Sequence, residues 1–293
     1  MIAILVQSFR RPKVVRISVP TWLRSRDVRY LVLIAESPID EEIELYREAV
    51  SEIERKAPGV NVIYELYKSR LGHINSRNRL LEIASKLDVD FVAIVDDDII
   101  LPNPLFLKVM VRWLEEDESA GAVGCRVIMT RKRKIDPDFF LNLPVNLADP
   151  LTRFTGFVFL NTLVGPRYAE FLPPFYIFRR SVAKNVRVIP LLGGTAYREE
   201  SDIQMQIKRL GYRLVFDPRV YVLHLGLETG GARTHASEAY RFYWKARNHA
   251  VFVKRHFKSN PWYLLSSALL LSIYRPWHIP RILNGLRDGV KSA

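Results

Sequence analysis

Cysteine is almost absent from this chain of 293 residues, which contains only Cys125. A single cysteine excludes an intramolecular disulfide and a cysteine-based metal cluster, and chains without structural disulfides are typical of reducing compartments. We therefore expect a cytoplasmic protein, whose membrane contact, if it makes one, is peripheral and on the cytoplasmic face. Cys125 itself is predicted to be a small buried apolar residue.

Long apolar runs are missing as well. The apolar stretch from Trp262 to Tyr274 has 13 residues, whereas a helix that spans a bilayer needs about 20. The N-terminal "MIAILVQSFRRP" has no basic residues before its apolar run and no cleavage pattern after it. It is therefore predicted to be the first strand of the fold rather than a targeting segment.

Acidic residues are scarce relative to basic ones. The chain has 44 Lys or Arg against 31 Asp or Glu, a formal net charge of +13, and 48% of its residues are hydrophobic. Residues 226–293 alone contain eleven Lys or Arg and three Asp or Glu, a surplus of eight positive charges. The composition predicts a globular core and an anionic partner, namely a phosphorylated ligand, a nucleic acid or a membrane surface.

Short apolar runs alternate with segments of helical periodicity. Strands are predicted over residues 2–6, 30–34, 62–66, 91–95, 120–129 and 212–225, and helices over 41–57, 104–115, 198–212 and 237–257. Residues 131–175 lack periodicity and are predicted to form loops and short strands over the sheet. This alternation predicts an α/β fold with a mainly parallel central sheet flanked by helices, in which ligands bind at the carboxyl ends of the strands.

Three adjacent aspartates, Asp96, Asp97 and Asp98, follow the apolar strand "FVAIV". Like charges without a counter-charge are costly in a partly buried site, and a divalent cation would remove that cost. If alternate residues face the same way, Asp96 and Asp98 point to one side and Asp97 to another. Oxygen ligands favour Mg or Mn. The alternative is a solvated acidic turn or a helix N-cap, which the apolar strand and the basic chain make less favourable.

A second acidic group opens the helix that begins in "REESD", with Glu199, Glu200 and Asp202. Acids in a first helical turn are favoured by the helix dipole, so at least one of them is expected to be structural only. His224 ends the strand "VYVLHL"; alone it would more often be structural, but together with the acids it completes a metal site. Three arginines have the planar guanidinium group that suits diphosphate recognition: Arg10, Arg11 and Arg77.

Taken in order, these residues resemble the family-2 glycosyltransferases of the GT-A fold. In those enzymes Thr-Tyr-Asn-Arg-Pro follows the first strand and an acidic residue follows the second. Ala-Arg-Asn and Asp-x-Asp come next. A Glu-Asp pair then opens a helix, and Gly-Tyr, Pro and His follow it. This chain has "SFRRP" (8–12), Glu36, "NSRNRLLEIA" (75–84), the Asp triplet, "YREESDIQMQIKRLGYRLVFDP" and His224. The ordered set, rather than any one motif, carries the resemblance.

The resemblance implies a division of the chain and a role for each matching residue. Residues 1–225 would form a GT-A catalytic domain, with a nucleotide-sugar half (1–120) and an acceptor half (121–225), and residues 226–293 a basic, aromatic-rich helical tail. Asp96, Asp98 and His224 would hold the metal. The residues that would bind the nucleotide-sugar are Ser8, Phe9, Arg10, Glu36, Arg77, Asp96 and Asp97.

Glu200 aligns with the catalytic base of the family, although the family has Asp there, and Asp202 is the alternative base. Arg10 stands where the family usually has Asn, in the turn after the first strand, and this departure bears on the nucleobase contacts that the resemblance implies for that turn. The implied activity is a metal-dependent, inverting transfer of a hexose from a UDP-, GDP- or dTDP-linked donor to a hydroxyl or lipid-phosphate acceptor. The acceptor would be a glycan, a lipid-linked molecule or a protein. Residues 259–293 either lie in a membrane interface or pack on the catalytic domain or on the second subunit of a homodimer.

Three other readings stay open. A metal-dependent nucleotidyltransferase would usually have a glycine-rich loop after the first strand, and "VQSFRRP" has no glycine. A basic nucleic-acid-binding protein would account for the charge but not for the Asp triplet, so no nucleic-acid partner is expected. A non-catalytic scaffold of the same fold would be expected to have lost a carboxylate.

Overall fold

The computed structural model describes residues 1–130, 150, 152, 154, 165–227, 230, 231, 237–258 and 260–292. Most of the segment predicted to hold loops and short strands, residues 131–175, lies outside the described residues. The strands are β1 (Ile2–Phe9), β2 (Val28–Glu36), β3 (Asn61–Tyr67), β4 (Phe91–Asp96), β5 (Ile99–Ile100), β6 (Ala120–Met129), β7 (Arg167–Tyr168), β8 (Tyr176–Arg179) and β9 (Arg213–His224). The helices are α1 (Pro12–Leu23), α2 (Asp40–Lys56), α3 (His73–Lys86), α4 (Leu105–Glu116), α5 (Arg180–Ala183), α6 (Glu199–Arg209), α7 (Glu238–Phe257), α8 (Pro261–Tyr274) and α9 (Ile279–Ser292).

All nine strands belong to one mixed sheet in the order β3-β2-β1-β4-β8-β6-β9-β5, with β7 also paired to β9. β1, β2, β3 and β4 run parallel to one another, and β6 runs parallel to β9. The antiparallel pairs all involve the short strands β5, β7 and β8. The predicted strands and helices are confirmed. The sequence pattern did not indicate the antiparallel pairs.

The core lies on both faces of the sheet because the parallel strands alternate their side chains between the faces. In β1, Ile2, Ile4 and Val6 join the layer under α1, α2 and α4, whereas Ala3 and Leu5 join the layer under α3, α5 and α6. Strands buried on both sides need apolar residues at every position. This is why they read as continuous apolar runs in the sequence.

The registers bring the ends of four strands to one edge of the sheet. Phe9 of β1 lies opposite Glu36 of β2, and Gln7 lies opposite Asp96, the last residue of β4. On the far side, β5 and β9 are antiparallel, with Ile99 opposite His224. These pairings collect the ends of β1, β2, β4 and β9 where the sequence predicts the site.

The tail forms three helices around its own small apolar cluster, made by Phe242, Ala246, Ala250, Leu271, Ile282 and Leu286. α9 packs closely on α7 because two glycines face it: a Cβ on Gly285 would lie 2.4 Å from the Tyr243 carbonyl oxygen, and one on Gly289 2.3 Å from that of Arg247. α7 also contacts the segment that precedes α6, where Asn248 donates to the Gly193 carbonyl at 2.9 Å. Within the described ranges, none of the helices has both the length and the apolar character needed to cross a membrane.

Candidate active site

The Asp triplet lies in a turn that joins two strands. β4 ends at Asp96, Asp97 and Asp98 form the turn, and β5 begins at Ile99. The antiparallel pairing of β5 with β9 then brings Asp98 next to His224. One ligand atom each from Asp96, Asp98 and His224 can be chosen so that all three lie within 4.8 Å of one another.

The donor atoms of this cluster fit a divalent cation. His224 Nε2 lies 3.5 Å from Asp98 Oδ1. His224 Nδ1 is buried and has no hydrogen-bond partner among the described residues, which is costly for a polar atom and would be relieved if Nδ1 itself coordinated the cation. Two carboxylates and one imidazole are a donor set that Mn or Mg accepts.

Asp97 points away from the metal cluster and toward the end of β1. Its carboxylate accepts hydrogen bonds from Ser8 Oγ at 2.6 Å and from Arg11 Nη1 at 2.9 Å. Burial raises the pKa of Asp97 to about 7; Arg11 opposes this shift and the nearby charge of Asp98 adds to it. Since Arg11 also lies 3.3 Å from Asp98, the protein supplies part of the counter-charge for the triplet.

Arg10, which the resemblance placed among the residues that bind the nucleotide-sugar, lies against α2. Its φ of 57° is unusual for a residue other than glycine, and its Nε lies 3.3 Å from a carboxylate oxygen of Glu42. The guanidinium group is therefore engaged by α2. No hydrogen bond joins it to the Asp triplet in the described part of the chain.

Arg77 is almost fully buried on α3 and connects the two acidic groups. It donates to Glu199 from Nε at 3.1 Å and from Nη2 at 2.8 Å, and Nη2 lies 3.5 Å from Asp96. Burial lowers the pKa of Arg77, but the charge of Glu199 outweighs it and raises the pKa above its ordinary value. Nη1 is buried without a partner among the described residues, which leaves a donor available.

Glu199 and His73 belong to the site, although the sequence singled out Glu199 only as a helix-opening acid and His73 not at all. Glu199 has 1% of its side chain exposed, and its Oε1 lies 2.6 Å from His73 Nε2. Burial raises the pKa of Glu199, but Arg77 and His73 outweigh it and lower the pKa to about 2. His73 precedes Arg77 by four residues on α3, so both face the same way, and that spacing was the available signal.

Glu200 and Asp202, the two candidate bases, have opposite surroundings. Glu200 is partly buried, and no side chain of the described residues donates a hydrogen bond to it. Burial, with the charges of Glu199 and Asp96, raises its pKa to about 7. Asp202 is fully buried and faces α7, where its Oδ1 lies 2.7 Å from His256 Nε2.

The residues predicted at the nucleobase edge lie at the ends of β1 and β2. Glu36 accepts hydrogen bonds from the Gly72 amide at 3.1 Å and from the Ser76 hydroxyl, so it caps the start of α3. The ring of Phe9 lies 4.9 Å from the guanidinium carbon of Arg70. The structure brings Ser8, Phe9 and Glu36 to one edge, and their contact with a nucleobase stays a prediction.

A cavity of about 570 Å³ opens beside this cluster. It lies between the start of α3, the segment 190–196 and the N-terminus of α7, and His73 forms part of its wall. Tyr240 of the tail lines the opposite side. Because His73 contacts Glu199, the residue next to Glu200, the cavity offers room for a substrate group near the candidate base.

Comparisons with known proteins find no matching protein-family model and no significant match among curated proteins. Solved structures do match. A mannosyltransferase, PcManGT from Pyrobaculum calidifontis in complex with GDP-Man and Mn2+, is 18% identical, with 100% of this chain and 75% of that chain covered at a TM-score of 0.61. S. aureus TarS 1-349 in complex with UDP-GlcNAc is 15% identical, with 99% and 80% covered at a TM-score of 0.65.

A third similar structure is glucosyl-3-phosphoglycerate synthase from Mycobacterium tuberculosis in complex with Mn2+, uridine diphosphate and phosphoglyceric acid. It is 15% identical, with 87% of this chain and 78% of that chain covered at a TM-score of 0.54. At such identities a structural match establishes the fold. The chain has the GT-A fold that these glycosyltransferases share.

Proposed function

We propose that the protein is a metal-dependent glycosyltransferase that uses a nucleotide-sugar donor. The observation that carries the proposal is the grouping of five carboxylates, Asp96, Asp97, Asp98, Glu199 and Glu200, around the guanidinium groups of Arg11 and Arg77. Such an excess of negative charge at the carboxyl end of a sheet favours a bound cation. The fold supports the same reading, since similar structures are complexes with GDP-Man and Mn2+ or with UDP-GlcNAc.

In this proposal Asp96, Asp98 and His224 hold Mn or Mg. When bound there, the cation would supply positive charge that favours departure of a diphosphate. Arg77 donates to a diphosphate oxygen from its unpartnered Nη1, while Glu199 keeps the guanidinium group in place. Ser8, Phe9, Glu36 and Asp97 form the nucleobase and ribose edge, and the contact of Arg10 with Glu42 favours a structural role for that arginine.

Glu200 is the proposed general base. A carboxyl group with a pKa of about 7 is a far stronger base than an ordinary one and is still deprotonated in a large fraction of molecules at neutral pH. It would remove the proton of the acceptor hydroxyl on the side of the sugar opposite the departing diphosphate, which gives inversion at the anomeric carbon. Asp202 is engaged by His256 of α7 and is proposed to position α6 rather than to act as the base.

The acceptor class is the least constrained part of the proposal. The cavity beside His73 would receive it, and a hydroxyl on a glycan, a protein or a lipid-linked molecule, or a lipid phosphate, fits the chemistry of Glu200. UDP-, GDP- and dTDP-linked sugars are the candidate donors. A cytoplasmic location, peripheral membrane contact through residues 259–293 and a homodimer stay predictions of the sequence.

The test is a thermal-shift screen of UDP-, GDP- and dTDP-sugars with Mn or Mg, because a ligand that binds the native state raises its stability. Asp98→Asn should abolish the metal-dependent shift, whereas Asp88→Asn, at an exposed position on another surface, should leave it unchanged. Glu200→Gln should retain the shift and lose sugar transfer, with Glu48→Gln as its exposed control. If no nucleotide-sugar stabilises the wild-type protein with either metal, the proposed function is wrong.

A further inference from the structure

Helix α8 exposes apolar side chains on its outward face, where a helix that faces water would expose polar ones. Its buried residues are Ser266, Ser267 and Leu271, whereas Leu269 is 51% exposed and Ile273 78% exposed. The Ser267 hydroxyl is buried without a hydrogen-bond partner among the described residues. Burying serines while exposing leucines costs free energy on both faces in water. The arrangement is favourable only if the outward face of α8 meets an apolar medium.

The apolar surface continues beyond the end of α8. Trp277 lies three residues beyond the end of α8 and is 65% exposed, and Leu283 on α9 is 53% exposed. We call this set the tail apolar surface: Leu265, Leu269, Leu270, Ile273, Trp277 and Leu283. Several exposed apolar side chains on one helix and the residues that follow it mark an interaction site rather than scattered surface residues.

Basic residues border the tail apolar surface. On α9, Leu283, Arg287 and Lys291 are exposed and follow one another at intervals of four residues, so they form one stripe on the helix. Together with the surplus of eight positive charges in residues 226–293, this stripe favours an anionic partner. A second copy of the chain, packed through the same surface, would bring these cations against each other.

We propose that the tail apolar surface docks on a lipid bilayer that contains anionic headgroups. Leu265, Leu269, Ile273 and Trp277 would enter the boundary between headgroups and acyl chains, and the cations of α9 would contact the headgroups. Since α8 has 14 residues, it is too short to span the bilayer and would lie in the plane of the interface.

The docking surface is close to the cavity of the candidate active site. Glu238, in the first turn of α7, accepts hydrogen bonds from Arg275 at 2.7 Å and from His278 at 3.2 Å, on either side of Trp277. Its neighbours Ser237 and Tyr240 line the cavity. If the protein is the proposed glycosyltransferase, docking would present this cavity to acceptors carried by the bilayer. That consequence rests on the proposed function, whereas docking itself does not.

The experiment is co-sedimentation of the full chain with phosphatidylcholine vesicles that contain or lack phosphatidylglycerol. The wild-type protein should bind the anionic vesicles, and added salt should weaken binding by screening the cations. Leu269→Ser/Ile273→Ser should lower the partition coefficient by at least about tenfold, because two inserted aliphatic side chains are lost. The matched control, Ile17→Ser/Leu105→Ser, changes two exposed residues of the catalytic region, 63% and 64% exposed, and should bind as the wild type does.

Three outcomes would overturn the docking proposal. They are wild-type protein that stays in the supernatant with anionic vesicles, equal loss of binding in both double variants, and a dimer in light scattering that only Leu269→Ser/Ile273→Ser dissociates. The last outcome would assign the surface to a second copy of the chain.

The thermal shift with nucleotide-sugar and metal is measured on the same samples. Absent vesicle binding with an intact shift overturns docking alone, and vesicle binding without any shift overturns only the proposed function.

Discussion

Replacing Glu199 by Gln should destabilise the protein by about 3–5 kcal/mol, because the change leaves a buried guanidinium group without its carboxylate. Arg77 and Glu199 each have only 1% of the side chain exposed, and they are joined by hydrogen bonds of 2.8 and 3.1 Å. This pairing raises the pKa of Arg77, and without it the guanidinium group still stays charged at neutral pH, because arginine is not deprotonated in proteins. Asp96 is 3.5 Å from Arg77 and 29% exposed, so it can replace only part of the lost interaction.

The assay is urea denaturation followed by tryptophan fluorescence, in which the midpoint should fall while the slope with urea is unchanged. Glu116→Gln is the control, since it breaks an Arg–Glu pair whose side chains are 73% and 61% exposed and should leave the midpoint unchanged. The double variant Arg77→Met/Glu199→Leu should recover much of the loss, because apolar residues often replace a buried ion pair at little cost. A cost below about 1 kcal/mol for Glu199→Gln, or a double variant no more stable than the single one, would refute the reasoning.

Three further predictions concern the base, the tail and their connection. In the wild type, kcat/KM should fall about tenfold per pH unit below pH 7, since protonation removes the base, and Glu200→Gln should lower transfer at least about 100-fold and abolish this dependence. Gly289→Ala should lower the free energy of unfolding by about 1–3 kcal/mol, because its Cβ would overlap a carbonyl oxygen of α7, while Gly59→Ala, with no atom within 4 Å, should not. Asp202→Asn should weaken the bond to His256 and reduce kcat while nucleotide-sugar binding, measured by thermal shift, is retained.

The long strands of the fold were predictable because each one carries its own pattern, whereas the helices α1 and α3 were not among the predicted elements. The parallel strands are buried on both faces and read as apolar runs, and α6 ends two residues before Gly211, whose φ of 92° suits glycine. The strands β5, β7 and β8 have two to four residues, which is too few for a period to be recognised. They form only because longer strands offer them partners, and such long-range pairing leaves no local signal.

The candidate site was predictable where its residues end a strand, as Asp96 and His224 do, or lie in the turn that directly follows one, as Asp98 does. The role of Glu199 in the site was not predicted, because the helix dipole alone accounts for an acid in a first helical turn. Its partner Arg77 also lies 122 residues away in the sequence. Arg11 was considered only as a phosphate contact, whereas it binds Asp97. Which of two adjacent arginines turns toward the acids depends on the backbone at Arg10, whose positive φ does not follow from its residue type.

The tail is part of the physical support of the site, although its composition sets it apart from residues 1–225. Gly194, just before α6, has Trp244 so close that a Cβ would lie 2.2 Å from the indole ring, and Asn248 holds the neighbouring carbonyl of Gly193. Burial lowers the pKa of His256, so its ring is neutral at pH 7 and donates from Nε2 to Asp202. The segment that leads into Glu200 and the helix that carries it are therefore both fixed by α7. Removing α8 and α9 would uncover the apolar side of α7 and disturb the site as well as the docking surface, so only point changes on the outward face of α8 separate membrane binding from catalysis.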